Sequence, residues 1–412
     1  MFTSTMSEAR EPKSRGVLRM KKLYGYRRPD GSVGFRNWVL VMPAVACVNH
    51  TAELIARDSP GVVSLHHEVG CAQIGADYRQ SLMTLLNTGL HPNVGAVLLV
   101  GLGCERVDPH TLAGEIASSG KRVECIVMQE LGGTAPTVAA GKKIIAEMVE
   151  QLATASREEV PPSSVVLGVE CGGSDFSSSL SSNPVVGYVA DAICAAGGRA
   201  VLSETTEVIG TEKILTARCA SPEIASKLVE RIRRMVEYSR SEDRDEIDGV
   251  AVPNNISPGN VRGGLTTIEE KSLGAISKGG YTSPIVGVVE YAERVGRDSG
   301  LWFMDSPGYD PECTTGLMAC GCNLVLFTTG LGTPLGNPVT PIIKVTGNRL
   351  TAERMRGDID IDVSAVLEDG ASLESEAAAM LDALIDVANG KQTRSEELGY
   401  HDIGITRIGP RL

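Results

Sequence analysis

Residues 94–105, VGAVLLVGLGCE, decide the fold, because an apolar run is followed at once by a glycine-rich turn that carries a cysteine. A short apolar run that ends in such a turn is typical of a buried β-strand. Similar runs occur at 37–43 (NWVLVMP), 62–66 (VVSLH) and 122–128 (RVECIVM), with amphipathic segments at 50–58 and 77–89 between them. Strands that alternate with helices predict parallel βαβ units.

The second half of the chain repeats this alternation. A long predicted helix at 135–156 runs into REEVPPSS at 157–164, whose charges and two prolines predict a linker. Beyond it, SVVLGVE and RAVLSET are predicted strands separated by a helical segment. We therefore predict an α/β protein of two domains, each with a mostly parallel sheet flanked by helices in Rossmann-like layering. The predicted boundaries are a mobile tail over 1–20, a first domain over 21–159 and a second domain over 160–412.

Charge and composition narrow the class of partner. A formal net charge of -12 at pH 7 argues against nucleic acid or an anionic membrane surface, because both require a concentrated basic face. Residues 1–16 are polar and lack the apolar stretch of a signal peptide, and the apolar run 94–104 is too short to span a bilayer. We expect a cytoplasmic protein that binds a small molecule and has no nucleic-acid or membrane partner.

Ten cysteines in such a chain predict free thiols, because a reducing cytoplasm opposes disulfides. Cys125 and Cys194 lie within apolar patterns, where a free cysteine acts as a small apolar residue of the core. Cys71, Cys104 and Cys171 instead each follow a predicted strand. Ligand sites of open α/β sheets lie at the carboxyl ends of the strands, so these three thiols are candidates for a shared site.

His67 lies close to Cys71, and thiolates with an imidazole suit iron or zinc. The spacing is not that of a zinc finger, since the one tight pair is the CGC of Cys320 and Cys322. Small residues chosen for tight turns at strand ends are the alternative interpretation.

Two polar loops add candidate side chains. The loop GVECGGSDFSSS at 168–179 could cradle a phosphate, but neither a GxxxxGK[ST] nor a GxGxxG pattern is present. Ser174 and Asp175 are therefore predicted to hold a carboxylate or hydroxyl groups. FMDSPGYDP at 303–311 places Asp305, Tyr309 and Asp310 in one loop, for which a simple turn is an equal alternative.

Taken together, the loops resemble the large catalytic portion of the altronate/galactarate dehydratase family. The resemblance runs from about Gly25 to about Asp362. Its motifs are GYRRPDGSVGFRNWVLV, HPNVGAVLLVGLGCE, ECGGSD, SPGNVRGGLTTIEEKSLGAI, FMDSPGYDPECTTGLMACGCNLVLFTTGLGTPLG and PIIKVTGN. It implies a cytoplasmic lyase of carbohydrate catabolism whose catalytic domain is 160–412. It also implies a divalent metal cofactor, most simply Fe2+, with Mn2+ or an iron–sulfur cluster as alternatives.

The resemblance implies roles for residues at the matching motifs. The implied metal ligands are Cys71, Cys104, Cys171 and His67. The implied acid/base groups are Lys271, Asp305 and Tyr309, and the implied substrate-binding residues are Ser174, Asp175, Asn260 and Arg262.

This chain departs from the family pattern in two places. Ala72 follows Cys71 where the family usually has glycine. The small β-rich domain that commonly precedes this region in family members has no room here, which implies a separate small β-rich subunit and an oligomer.

Three functions are consistent with these observations. The first is elimination of water from a sugar acid or related hydroxy carboxylic acid to give a 2-keto acid. The second is the large subunit of a sulfolactate sulfo-lyase, which releases sulfite instead. The third is a noncatalytic subunit that binds an anion at its glycine-rich strand ends.

Overall fold

The computed structural model describes residues 20–242, 246–247, 250–251, 256–400 and 402–409. The predicted mobile tail lies outside the described residues, apart from Met20. The elements of the first half are β1 (Leu23–Arg27), β2 (Val33–Gly34), β3 (Trp38–Pro43), α1 (Asn49–Ala56), β4 (Val62–Ser64), α2 (Gly75–Gly89), β5 (Val94–Gly101), α3 (Pro109–Ala117), β6 (Arg122–Val127), α4 (Thr134–Leu152) and β7 (Glu158–Val160).

A four-stranded parallel sheet in the order β4-β3-β5-β6 forms the centre of the first half. Alternate residues of a strand point to opposite faces. Leu40 and Leu99 accordingly pack on one face against Leu85 of α2, with Leu112 of α3 in the same cluster. The other face packs against α1 and α4. Because helices cover both faces, β5 reads as a continuous apolar run.

The second half is built on a larger sheet. Its elements are β8 (Val166–Cys171), α5 (Asn183–Ala195), β9 (Arg199–Leu202), α6 (Glu212–Thr216), α7 (Pro222–Glu242), β10 (Glu246–Ile247), β11 (Val250–Ala251), α8 (Pro258–Arg262), α9 (Ile268–Ala275), β12 (Ile285–Val289), β13 (Gly300–Met304), α10 (Asp310–Ala319), β14 (Leu324–Thr328), β15 (Ile342–Thr346), α11 (Arg349–Arg354), β16 (Ile361–Asp362), α12 (Ala365–Glu368), α13 (Leu373–Ala388) and α14 (Arg394–Glu397).

Seven of these strands form a parallel sheet in the order β12-β13-β9-β8-β14-β15-β16. The predicted fold class, α/β with two mostly parallel sheets flanked by helices, is thus confirmed. The segment predicted to be a linker pairs with the start of the chain, since β7 lies antiparallel to β1. The domain boundary near residue 160 stays a prediction.

The two sheets lie side by side with their carboxyl edges on the same side of the molecule. At the opposite, amino edges, Asn93 Nδ2 before β5 donates to Asn323 O before β14 at 3.2 Å. The helices α2 and α10, which each begin at a carboxyl edge, pack against one another. At that edge Ile403 N donates to His66 O (3.1 Å) and Thr406 Oγ1 to Glu312 Oε2 (2.7 Å), so one chain segment links both sheets.

No helix among the described residues is long and apolar enough to cross a membrane.

Candidate active site

A buried cluster of charged and sulfur-bearing side chains lies at the carboxyl edge of the larger sheet. Cys171 ends β8, and the neighbouring parallel strand β9 leads directly into Glu204 and Glu207. The Cys171 thiol donates to Glu207 Oε2 at 2.8 Å, and Cys171 N donates to Glu204 Oε2 at 3.1 Å. All three residues are buried, so strand adjacency alone places three polar groups out of water.

Two lysines supply the opposite charge. Lys271 on α9 and Lys278 in the 3-10 turn that follows are seven residues apart, which puts both on one helical face. Lys278 Nζ lies 2.6 Å from Cys171 Sγ and 2.6 Å from Glu204 Oε2. Lys271 Nζ lies 2.7 Å from Glu207 Oε1. Each carboxylate therefore has an ammonium partner, as a buried charge requires.

The backbone that carries the two glutamates is held in an uncommon conformation. Glu204 has a φ of 67°, in the left-handed region, which costs a non-glycine residue about 1–3 kcal/mol. Its N–H donates to Ser306 Oγ at 2.9 Å, and the next residue, Thr205, donates its hydroxyl to Asp305 Oδ1 at 2.6 Å. Asp305 also accepts from Arg234. Asp305 thus fixes the segment on which Glu204 and Glu207 lie.

Asp310, the first residue of α10, lies against Gly172, the residue that follows Cys171. A Cβ on Gly172 would overlap the Asp310 carboxylate, so only glycine allows this close approach. Asp310 is half-buried, whereas Glu204 and Lys278 are fully buried. Burial, with the nearby Glu207, raises the pKa of Asp310 to about 6. The accessible rim of the cluster therefore contains a carboxylate that titrates near neutral pH.

The two central glutamates differ in protonation. Burial and the neighbouring Glu207 raise the pKa of Glu204 to about 8. Burial also acts to raise the pKa of Glu207, but the ammonium groups of Lys271 and Lys278 hold it below its ordinary value. At neutral pH one carboxyl is protonated and its neighbour is ionised. Adjacent carboxyl groups with pKa values driven apart are the arrangement of acid/base sites.

Cys171 is a neutral thiol in this setting. Its burial, together with the neighbouring carboxyl groups of Glu204 and Glu207, raises its pKa well above that of an ordinary cysteine. The thiol accordingly donates to Glu207 and accepts from Lys278.

The sulfur and carboxylate atoms of Cys171, Glu204 and Glu207 all lie within 4.8 Å of one another, so the group could hold a metal ion. Glu204 Oε1 is buried and has no hydrogen-bond partner, which leaves one ligand atom available. However, Lys278 Nζ already contacts both Cys171 and Glu204. A cation placed here would meet a buried ammonium, so the donor set fits a metal only if Lys278 withdraws or loses its proton.

Two family models match the chain. D-galactarate/altronate dehydratase, C-terminal, matches residues 162–411, and D-galactarate dehydratase/altronate hydrolase, second domain, matches residues 25–153. The chain belongs to the D-galactarate/altronate dehydratase family.

Three relatives match this chain at similar sequence identity, and their names state different reactions. The (2R)-sulfolactate sulfo-lyase subunit beta of Chromohalobacter salexigens is 35% identical over 394 residues, which cover 95% of this chain and 98% of that protein. Altronate dehydratase of Bacillus subtilis is 35% identical over 399 residues, covering 94% and 78%. Galactarate dehydratase (L-threo-forming) of Escherichia coli is 33% identical over 399 residues, covering 92% and 75%. These relatives support a lyase.

The structure brings together only part of the site predicted from sequence. Cys171 and Lys271 both belong to the buried cluster. Asp305 lies beside it and is fully engaged by Thr205 and Arg234. Tyr309 directly precedes α10 and is 62% exposed, next to Asp310.

The predicted substrate-binding residues mostly hold the loop after β8. Asp175 is buried and accepts from Ser177 Oγ at 2.6 Å and from Asn348 Nδ2 at 2.9 Å. Asn260 Nδ2 donates to Ser174 O at 2.7 Å, while the buried Ser174 Oγ has no partner. Arg262 is exposed at the end of α8.

The four predicted metal ligands do not form one group. His67 is buried, with Nε2 2.8 Å from Pro43 O and Nδ1 accepting from Val69 N at 3.2 Å. Burial also lowers the pKa of His67 to about 4, so the ring is neutral. Its one lone pair, on Nδ1, already accepts from Val69 N, and Nε2 carries the proton that it donates to Pro43 O. Cys71 and Cys104 are exposed at the carboxyl edge of the smaller sheet. Within the described ranges, Cys171 lies with Glu204 and Glu207 rather than with these residues.

Sequence reasoning missed Glu204, Glu207 and Lys278 as site residues, and named Asp310 only as a member of the polar loop at 303–311. The two glutamates follow the predicted strand RAVLSET, so the rule that found Cys171 could have found them. Lys278 had a signal in its seven-residue spacing from Lys271. Its complete burial could not be read from the sequence, because lysines on a helix are usually solvated.

Proposed function

We propose that this chain is a lyase that eliminates water from a sugar acid or related hydroxy carboxylic acid, leaving a 2-keto acid. One observation carries the proposal: the buried network in which Lys271 and Lys278 alternate with Glu207, Cys171 and Glu204, closed by Asp310. A β-elimination needs a base for the proton beside the carboxylate and an acid for the departing hydroxide. In this network a protonated carboxyl group, Glu204, lies beside an ionised one, Glu207. The dehydratase names of two relatives support the same reaction.

We assign the proton abstraction to Asp310. It is half-buried at the rim, and a base with a pKa near 6 is largely ionised at neutral pH while still able to accept a proton. The ammonium of Lys271 stabilises the negative charge that develops on the substrate carboxylate. Glu204 and Lys278 are fully buried and contact each other, so their proposed role is to balance the charges inside the site. Tyr309, exposed beside Asp310, is the proposed donor to the leaving group.

The remaining predicted residues have supporting roles in this proposal. Asp305 is a positioning residue, because it fixes the segment that carries Glu204 through Thr205. Ser174, with an unpartnered buried hydroxyl, and the exposed Arg262 are the proposed contacts to substrate hydroxyl and carboxylate groups. Asp175 and Asn260 hold the loop in place.

A divalent metal, most simply Fe2+, would supply Lewis-acid polarisation of the substrate carboxylate and hydroxyl. With Lys278 in place, the Cys171 group is already neutralised, so the proposed acid/base steps use its side chains without a metal ligand role. Cys71 and Cys104 stay candidate metal ligands.

Release of sulfite from a sulfolactate is a second candidate reaction. A match at 35% identity that covers 98% of a sulfo-lyase subunit beta favours it. Sulfite leaves more readily than hydroxide, so it places less demand on the acid at the leaving group. The word subunit in that name also supports a proposed separate small subunit as partner.

The test is a product assay with altronate, galactarate and sulfolactate, on the purified chain alone and with its co-purifying partner. A 2-keto acid formed from a sugar acid supports the hydro-lyase, and sulfite formed from sulfolactate assigns the sulfo-lyase. Lys271→Met should abolish either product, whereas the exposed control Lys227→Met should not. Tight binding of the acids by calorimetry with no product would overturn both reactions in favour of a noncatalytic anion-binding subunit.

A further inference from the structure

A cavity of about 630 Å³ lies at the amino edges of the two sheets, on the side of the molecule opposite the acid/base cluster. Its walls are the turns that precede the strands β2, β5, β8, β9, β13 and β14. Turns from both halves of the chain therefore meet around one space. Its volume is within the range of about 300–1,000 Å³ that is usual for small-molecule sites.

Positive charge dominates the lining of this cavity. Four arginines contribute to it: Arg27, Arg199, Arg294 and Arg297. Arg27 is paired with Glu158, at 2.6 Å between Nε and Oε1. The other three form no ion pair within the part of the chain that the structure describes. Three guanidinium groups thus line the cavity without a fixed counter-ion.

A backbone contact holds these three arginines together. Arg199 Nη1 donates to Gly296 O at 2.9 Å, and Gly296 lies between Arg294 and Arg297 in the chain. This bond ties the loop that carries two of the arginines to the residue that carries the third. Burial lowers the pKa of Arg199, and the charges of Arg294 and Arg297 lower it as well. An anion between the three groups would relieve this repulsion.

The wall beside these arginines does not neutralise them. The buried Arg28 donates to Pro92 O at 2.7 Å and to Arg36 O at 2.9 Å, so neutral carbonyls satisfy its N–H groups and its charge remains. Burial lowers the pKa of Arg28 to about 10, at which it is still charged at neutral pH. The carboxylate in the lining, Asp30, accepts from Ser32 N at 2.9 Å and Ser32 Oγ at 2.6 Å. A chain of net charge -12 thus keeps a positive cavity.

We propose that this cavity is a second anion site, separate from the acid/base cluster, and that it binds a small phosphorylated molecule of the size of a sugar phosphate. The planar guanidinium group matches the oxygens of a phosphate in a bidentate manner. A doubly charged phosphate also balances more of the three unpaired charges than a single carboxylate does. Ser163 and Ser164 line the same cavity and supply hydroxyl groups for the rest of the ligand.

The cavity and the acid/base cluster lie at opposite ends of the same strands. Strand β8 runs from Val166 in the cavity wall to Cys171 in the cluster, and β9 runs from Arg199 toward Glu204. A rise of about 3.3 Å per residue separates the two ends of β8 by about 17 Å. A phosphorylated molecule in the cavity and an acid at the cluster should therefore bind at the same time.

The experiment is isothermal titration calorimetry of the full chain with glucose 6-phosphate, inorganic phosphate and succinate. Glucose 6-phosphate is expected to bind most tightly of the three. Arg294→Gln and Arg297→Gln should each weaken its binding by at least about tenfold, because each removes a charged hydrogen-bond donor. Both side chains are exposed, so the variants should fold with an unchanged thermal melt. Arg262→Gln, at an exposed arginine near the acid/base cluster, is the matched control and should keep the affinity.

Other results would overturn the inference. If neither phosphate compound binds the wild-type chain, the cavity is not an anion site. If inorganic phosphate binds as tightly as glucose 6-phosphate, the site holds an adventitious ion only, and equally tight binding of succinate would reject a phosphorylated ligand. Weaker binding in Arg262→Gln but not in Arg294→Gln would move the anion to the catalytic edge. Product formation without added phosphate should be the same in Arg294→Gln as in the wild type, so this test is independent of the proposed lyase reaction.

Discussion

The carboxyl edges of the two sheets present cysteines in opposite environments. On the smaller sheet, Cys47, Cys71 and Cys104 are exposed and belong to loops that meet at Gly70. On the larger sheet, Cys171 is buried and contacts Glu207 and Lys278. The same topology, a parallel strand that ends in a glycine-rich turn, produces both edges. The difference therefore comes from what packs around each turn.

Burial decides what each thiol can do. At the larger sheet, burial and two carboxylates raise the pKa of Cys171, so the thiol stays protonated and acts as a hydrogen-bond donor. The thiols of Cys47, Cys71 and Cys104 are exposed and stay open to a ligand. A cysteine at a strand end is therefore a metal candidate only where no ammonium lies beside its sulfur, as Lys278 does at Cys171.

The largest expected effect is on the buried edge, from Lys278→Met. This change removes the ammonium that contacts Cys171 and Glu204, and leaves the buried Glu204 carboxyl group without its charged partner, whereas Glu207 keeps Lys271. We expect a loss of about 3–5 kcal/mol in the free energy of unfolding, together with loss of activity. Chemical denaturation with the linear extrapolation method measures the change in the free energy of unfolding, and the product assay measures the activity.

The chain supplies a matched control in Lys344→Met. Lys344 is also fully buried, but its ammonium donates to the backbone carbonyls of Pro334 and Leu335 at 3.3 and 3.0 Å. Its loss leaves two neutral acceptors, so we expect a smaller cost of about 1–3 kcal/mol. Equal costs for the two variants would show that charge balance at the Cys171 edge is not special.

Asp310→Asn tests the rim of the buried edge. If this carboxylate takes the proton, kcat should fall by about 10²–10⁴-fold. The free energy of unfolding should not fall together with kcat. Burial raises the pKa of the Asp310 carboxyl group and so disfavours its ionised form, which means that a neutral amide is tolerated there. Steady-state kinetics beside a thermal melt separates the two effects. Unchanged kcat would assign the base elsewhere in the cluster, and the exposed Asp298→Asn serves as the control.

The sequence pattern predicted the fold, and it predicted Cys171 and Lys271 of the buried cluster by the same reasoning. Apolar runs with alternating helices specify parallel sheets, and parallel sheets specify where loops gather, so Cys171 and Lys271 could be found. His67 could not be judged, because its ring nitrogens are engaged by Pro43 and Val69, contacts that only the folded loop creates. Lys278 was missed because its spacing from Lys271 shows a shared helical face but not that this face is completely buried.

The protonation of Glu204 gives a smaller, pH-dependent effect. Its pKa is about 8 in the folded protein against an ordinary value of 4.5, so between these values the folded state binds a proton that the unfolded state has lost. The free energy of unfolding should therefore fall as pH rises from about 5 to 8, by at most about 1.4 kcal/mol per pH unit from this group. Glu204→Gln should flatten that slope in denaturation measured across this pH window. An unchanged slope would mean that Glu204 is ionised in the native protein.

The smallest expected effect is on the exposed edge, at Ala72. Both edges contain a non-glycine residue in the left-handed region, Glu204 with a φ of 67° and Ala72 with a φ of 56°. Ala72→Gly should relieve the strain of the left-handed conformation and stabilise the protein by about 0.5–1 kcal/mol, net of the extra chain entropy of glycine. Ala113→Gly, in the helix α3, should instead cost about 1 kcal/mol. A destabilised Ala72→Gly would mean that alanine stiffens the Cys71 loop and that this stiffness, rather than the contacts at Gly70, holds the thiol in place.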